Sequence, residues 1–207
     1  MGSMLPTLYL GYIMKTLDQY REEYKQKKLL AMPIAGCFTW AVLGILGTFI
    51  NSQYMGLITF IGTGMIFYIA LGIAKLTNEA LFVKKSERNP FDNLFLSTVL
   101  MSVMGYGLVI PMTQFDHTTV PLSVGIISGL MWLPLSWTLQ HPLGIIHTVT
   151  RTVSLVILWY LFPEDRFVVL PFAIVLIYLF SIYQLYSRWQ NQLKQTHSSA
   201  LNVGQNG

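Results

Sequence analysis

The sequence predicts an all-α, polytopic membrane protein: a bundle of six transmembrane helices preceded by an amphipathic helix. Charged residues make up only 11% of the 207 residues, against about 25% in soluble domains. Hydrophobic residues make up 53% and lie in runs of bilayer length. The net charge is +4, and the basic residues lie beside these apolar runs, where they set the orientation of the spans. This placement excludes a nucleic-acid-binding protein.

Residues 1–28 form the predicted N-terminal arm. Between residues 7 and 28, apolar side chains recur at three- and four-residue intervals, with charged side chains between them. The recurring residues are Leu10, Ile13, Leu17, Tyr20 and Tyr24. This pattern is typical of an amphipathic helix on a membrane surface or against a partner, and equally of a solvated helix that leads into the first span.

Six apolar segments follow and form a predicted transmembrane domain at residues 29–188. The predicted spans cover about residues 29–50, 54–74, 94–112, 120–137, 142–162 and 167–186. Polar turns and prolines separate them. Residues 189–207 form a polar tail that we expect to be disordered.

The basic residues predict the orientation of these spans. Five Lys and Arg residues lie in the arm, four in the connection at residues 75–93, and two from Arg188 onward. The loops on the other side carry only Arg166. Because basic residues favour cytoplasmic loops, we expect both termini in the cytoplasm and the spans in the cell (inner) membrane, surrounded by lipid.

A GxxxG pattern lies in the fourth span, at Gly125 and Gly129. Such a pattern marks a close helix–helix contact, either within this bundle or in a homodimer. Packing within the bundle is the favoured interpretation.

An arginine lies near the middle of the fifth span. At 1.5 Å per residue, Arg151 is close to the bilayer midplane, where a charged side chain costs at least a few kcal/mol unless it is solvated or paired. No carboxylate is well placed to pair with it. Asp92 lies just before the third span, at its cytoplasmic start, and Asp116, Glu164 and Asp165 lie in the outer loops.

Helical spacing places other polar side chains on the face of Arg151. His147 precedes it by four residues, Ser154 follows it by three, and Thr148 flanks the same face. The predicted ligand-binding residues are Arg151, His147, Thr148, Ser154, Trp132 and Tyr106. The functional interpretation is a cavity in which the guanidinium attracts a small anionic or polar solute. The structural interpretation is an arginine held by carbonyls and hydroxyls, or one that reaches the interface along a tilted helix.

Signatures of other chemistry are missing from the sequence. It has no HExxH motif, no phosphate-binding glycine loop and no GxSxG motif. His141 and His147 point to different faces of one helix, and Cys37 is the single cysteine. The sequence therefore predicts no catalytic residue, no metal site and no cofactor, and an intramembrane enzyme is only the third hypothesis for function.

The run RNPFD at residues 88–92, with Trp132, His147 and Arg151, resembles an uncharacterised group of small six-span bacterial inner-membrane proteins. The resemblance covers spans three to six. It implies six spans and a bacterial membrane, and it carries no activity.

The length of the chain is also similar to that of the substrate-binding subunits of vitamin uptake transporters, which are six-helix proteins. Ala31 and Ala35 resemble the small-residue pair through which those subunits dock, a pair that is common in membrane helices. Two main hypotheses for function follow. The first is a bundle that binds or transports a small anionic or polar solute through a site centred on Arg151. The second is a non-transporting membrane subunit or assembly protein that holds a partner.

Overall fold

The computed structural model describes residues 15–79 and 89–205, with side chains as far as residue 194. All regular structure in these ranges is helical, as predicted. The α-helices are α1 (Leu17–Lys25), α2 (Ala31–Gly47), α3 (Ser52–Thr77), α4 (Pro90–Met112), α5 (Val120–Leu130), α6 (Trp132–Leu139), α7 (Leu143–Leu161) and α8 (Arg166–Gln205), with a 3-10 helix at His117–Thr119.

Five helical elements of the described ranges are long and apolar enough to cross a membrane. They are α3, α4, the pair α5–α6 with the preceding 3-10 helix, α7 and the first part of α8. The chain is therefore a multi-pass membrane protein. The predicted first span corresponds to α2, which has 17 residues and is about 25 Å long. The count of six crossings stays a prediction.

Helix α2 packs along both α3 and α8. Its Ala31 and Ala35 are fully buried, so the small-residue pair contacts other helices of the same chain instead of offering a docking face. Gly36 makes room for the end of the Tyr178 side chain, because a Cβ atom there would lie 2.7 Å from the Tyr178 hydroxyl oxygen.

Helix α1 packs on the end of the bundle at which α4 begins, which we call the α1 end. Tyr24 is buried there with its ring centroid 5.9 Å from that of Phe91. The Arg21 guanidinium lies 4.8 Å from the centroid of the Trp137 ring. Residues 7–14 of the predicted amphipathic helix lie outside the described residues, and its position on a membrane surface stays a prediction.

Helix α4 begins four residues earlier than the predicted start at residue 94. The Asn89 side chain accepts a hydrogen bond of 3.0 Å from the Phe91 amide, which makes Asn89 the N-cap. Pro90 fits the first helical position because that position needs no N–H partner. The Asn89 amide also donates to the Tyr20 carbonyl at 2.6 Å, so the same residue joins α4 to α1.

The fourth predicted span is broken near its middle, although the sequence predicts one segment at residues 120–137. Helix α5 ends at Leu130, Met131 forms a turn, and α6 begins at Trp132. Pro134 accounts for the break, since it has no N–H to donate to the Leu130 carbonyl and its ring crowds that carbonyl.

The GxxxG pattern packs inside the bundle, in agreement with the favoured interpretation. A Cβ atom at Gly125 would lie 2.7 Å from Leu155 Cδ1 and 3.2 Å from Ile174 Cδ1. One at Gly129 would lie 2.9 Å from Arg151 Cδ. Helices α7 and α8 of the same chain thus occupy the face that the sequence also allows for a homodimer.

Helix α8 continues to Gln205 and so includes the described part of the polar tail; the expected disorder of that tail stays a prediction. Its glutamine, leucine and lysine residues are good helix formers, and they extend a helix that is already nucleated in the bundle. Arg188 of α8 donates to the carbonyls of Lys25 and Lys27 at 2.7 and 3.1 Å. These bonds satisfy carbonyls at the C-terminal end of α1.

Candidate functional site

Arg151 is fully buried near the middle of α7. Its Nη2 donates to Ser128 Oγ at 2.9 Å, and its Nη1 lies 3.4 Å from His147 Nε2. The guanidinium carbon lies 5.2 Å from the Tyr178 ring centroid and 5.6 Å from that of Trp40. Among the described residues no carboxylate forms a salt bridge with Arg151. A hydroxyl, an imidazole nitrogen and two aromatic rings surround the charge instead, and cation–π contacts of this kind strengthen when they are desolvated.

His147 connects Arg151 to α8 through a chain of hydrogen bonds. A guanidinium only donates, so His147 Nε2 accepts and the imidazole proton is assigned to Nδ1. Nδ1 then donates to Ser181 Oγ at 2.7 Å, and the Ser181 hydroxyl donates to the Ile177 carbonyl at 3.0 Å. One tautomer of a neutral imidazole satisfies the whole chain.

The break between α5 and α6 lets α7 come very close to both helices. Trp132 stacks on His147, with ring centroids 3.9 Å apart and planes 11° from parallel. A Cβ atom at Gly144 would lie 2.0 Å from the Trp132 carbonyl oxygen, so glycine is needed where α6 and α7 meet. Thr148 Oγ1 donates to the Gly129 carbonyl at 2.9 Å, which ties α7 to the last turn of α5.

The structure brings together four of the six predicted site residues, and these four are buried. They are Arg151, His147, Thr148 and Trp132. Tyr106, on α4, is near enough to Arg151 for an electrostatic interaction, but its hydroxyl donates to Thr63 Oγ1 of α3 at 3.0 Å instead of joining the cluster. Ser154 is half-buried, and its side chain forms no hydrogen bond in the described part of the chain. The ligand-binding role of all six residues stays a prediction.

Sequence reasoning missed three neighbours of this cluster: Trp40, Tyr178 and Ser181. Tyr178 and Ser181 are three residues apart in the last span, which places them on one helix face. That spacing, with a serine in an apolar run, was the available signal. Trp40 had none beyond its position in the middle of an apolar segment.

A cavity of about 640 Å³ lies beside the cluster and opens toward the α1 end. Its floor consists of Ser128, Trp132 and Tyr178, each of which contacts Arg151 or His147. Tyr178 is only 5% exposed, and its hydroxyl has no hydrogen-bond partner among the described residues. The floor therefore offers an unused hydroxyl beside a buried positive charge. Arg151 itself does not line the cavity and acts on it from behind Ser128 and Tyr178.

The rim of the cavity carries two lysines with different surroundings. Lys27 Nζ lies 2.5 and 2.8 Å from the carboxylate oxygens of Asp92. Lys28 donates to the Thr77 carbonyl at 3.3 Å and lies 4.7 Å from the centroid of the Trp189 ring. Within the described ranges Lys28 forms no salt bridge with a carboxylate.

A second carboxylate at the rim, Glu79, is engaged by the backbone. It accepts hydrogen bonds from the amides of Leu30 and Ala31 at 3.0 and 3.3 Å, and so caps the start of α2. Leu29, just before, has a left-handed φ of 57°, which a non-glycine residue adopts only when its surroundings hold it. In the described part of the chain no group of three or more His, Cys, Asp or Glu residues is arranged to hold a metal ion.

Comparison with known proteins gives one match. A family model described as "Family of unknown function (DUF7010)" matches residues 17–188, most of the chain. No curated protein and no solved structure matches the chain. The match is consistent with the resemblance to an uncharacterised group, while the bacterial membrane stays a prediction.

Proposed function

This chain belongs to the DUF7010 family of unknown function, and we propose that it is a membrane protein that binds a small anionic or polar solute in the cavity beside Arg151. One observation carries the proposal. Two residues of the cavity floor, Ser128 and Tyr178, contact a buried guanidinium that has no carboxylate partner in the described part of the chain.

The buried charge supplies the attraction for an anion. A negative group about 6 Å from the guanidinium, at an effective dielectric constant of about 20, gains about 3 kcal/mol. That energy corresponds to roughly a hundredfold in affinity. The Tyr178 hydroxyl, which has no partner among the described residues, supplies a hydrogen-bond donor at the same place.

The cavity opens on the side that we propose to be cytoplasmic. The α1 end carries Lys25, Lys27 and Lys28 of the N-terminal arm, and Lys75 at the end of α3. The basic residues on this side support an orientation with both termini inside. In that orientation, with α2 as a sixth crossing, the solute enters from the cytoplasm or the inner leaflet. Transport across the membrane is a further hypothesis on the same site.

The test is a binding measurement on the full chain in lipid nanodiscs, with acetate, benzoate and inorganic phosphate as probes. We expect at least one probe to raise the melting temperature of the wild type. Arg151→Leu should weaken that probe's binding roughly a hundredfold, by the energy given above. The variant should still insert and fold, because leucine removes a charged side chain that costs at least a few kcal/mol at mid-membrane.

Lys75→Gln is the matched control, since it removes one positive charge from an exposed residue that does not line the cavity. It should bind the probe like the wild type. The proposal is wrong if no probe stabilises the wild type, or if Arg151→Leu responds to the probe as the control does. Flux of the bound probe into liposomes, lost in Arg151→Leu, would establish transport.

A further inference from the structure

The walls of the cavity differ chemically from its floor and its rim. Between Tyr178 at the floor and Lys28 at the rim, most of the lining side chains are apolar. The apolar lining residues are Leu29, Met32, Pro33, Ile66, Phe67, Phe95, Leu96, Met131 and Leu135. A fully hydrophilic anion would leave these walls unpartnered and would lose much of its hydration without compensation.

The apolar part of the cavity lies between two helices that separate toward the α1 end. Helices α3 and α4 make little backbone contact with each other. Their side chains meet at Tyr106, whose hydroxyl donates to Thr63 at 3.0 Å and whose ring packs at 5.5 Å from the Phe60 ring. Closer to the α1 end, both helices line the cavity instead.

Leu96 shows that this wall continues to the outer surface of the bundle. It lines the cavity and is still 37% exposed. On a membrane-spanning helix, an exposed leucine faces lipid chains. The cavity is therefore accessible to an apolar molecule from the bilayer between α3 and α4. The rim beside it is partly occupied by the ion pair of Lys27 and Asp92.

We infer that the ligand is a hydrophobic carboxylate, an organic monoanion whose apolar body lies between α3 and α4 and whose carboxylate accepts from the Tyr178 hydroxyl at the floor. This inference rests on the proposed function and adds to it the class of the solute. The floor supplies one hydroxyl without a hydrogen-bond partner among the described residues, and behind it lies one positive charge with no carboxylate partner among them; together they match a single negative group. The volume of about 640 Å³ leaves room for a sizeable apolar body beyond it.

The test is a series of straight-chain carboxylates from acetate to decanoate, with octanol as the uncharged analogue of octanoate, on the full chain in nanodiscs. Binding is corrected for partition into protein-free nanodiscs. We expect affinity to rise with chain length, by up to about fourfold per added methylene, the factor that corresponds to about 0.8 kcal/mol. Octanol should bind much more weakly than octanoate.

Two matched variants locate the apolar body. Leu96→Trp places a larger side chain in the cavity wall and should weaken octanoate binding at least tenfold. Leu100→Trp, one turn farther along α4 at an exposed residue that does not line the cavity, should leave it unchanged. Melting temperatures without ligand verify that both variants fold.

The outcomes separate the two proposals. If acetate or phosphate binds as tightly as octanoate, and Arg151→Leu abolishes this binding, the hydrophobic class is wrong and the proposed function stands. If octanol binds as well as octanoate, the anionic site of the proposed function is wrong. If no probe binds, both proposals fail. If Leu96→Trp and Leu100→Trp bind octanoate equally, the position between α3 and α4 is wrong.

Discussion

Replacing Gly144 by alanine should strongly destabilise the bundle. The added Cβ atom would lie 2.0 Å from the Trp132 carbonyl oxygen and 2.8 Å from Ser136 Oγ. Side-chain Cβ contacts below 3.0 Å essentially do not occur, so α7 must move about 1 Å away from α6. The carbonyl belongs to the backbone and cannot rotate away as a side chain would. We therefore expect a loss at the upper end of the range for overpacking, about 3 kcal/mol.

The assay is reversible unfolding in mixed micelles, followed by tryptophan fluorescence as the denaturing detergent is increased. Gly107→Ala is the matched control, because a Cβ atom there meets nothing within 4 Å. It should be neutral or slightly stabilising, since alanine favours a helix over glycine. If the free energies of unfolding of Gly144→Ala and Gly107→Ala differ by less than about 1 kcal/mol, the close approach of α6 and α7 is not as described.

Two further predictions concern single polar contacts. In a double-mutant cycle of Ser128→Ala and Arg151→Leu, unfolding free energies should give a coupling of about 1.5 kcal/mol, as for a hydrogen bond to a charged group; a coupling near zero would contradict the contact. In the loop before α5, partial burial raises the pKa of Asp116, but hydrogen bonds from Thr118 and the nearby Arg166 outweigh it and leave the pKa below 3.8. A carboxyl group whose pKa is lower in the folded state stabilises that state at pH values above its ordinary pKa. This contribution is lost as the pH falls, so the melting temperature should decrease from pH 5 through pH 3.8 and below. Asp116→Asn should flatten this fall, and an equal fall in both proteins would refute the assignment.

The depth of Arg151 in the bundle and the lack of a carboxylate to pair with it were predictable from the sequence. The apolar runs and the 1.5 Å rise per residue place Arg151 deep in the bundle, and the positions of the carboxylates show that none is available to pair with it. The structure agrees, because Asp92 pairs with Lys27 and Asp116 with Arg166. The predicted start of α4, at residue 94, was four residues late, although asparagine followed by proline fits an N-cap and a first helical position and could have indicated the observed start.

The features that depend on helix rotation and long-range packing were not predictable. The contacts of Trp40 and Tyr178 with Arg151 bring together three helices, and nothing local in the sequence fixes which faces they share. The cavity has the same origin, because it is the space between α3 and α4 and not a property of either helix. Pro134 signals a break, but its effect on the approach of α7 appears only when α6 and α7 are packed.

The break at Met131 also frees backbone groups at mid-membrane. The carbonyls in the last turn of a helix lack partners within that helix, and Thr148 of α7 donates to one of them, the Gly129 carbonyl of α5. An unbroken fourth helix would offer no such carbonyl at that depth. Neither the hydroxyl nor the carbonyl binds a proton at physiological pH. This link between α5 and α7 will therefore persist unchanged when the pH differs between the two sides of the membrane.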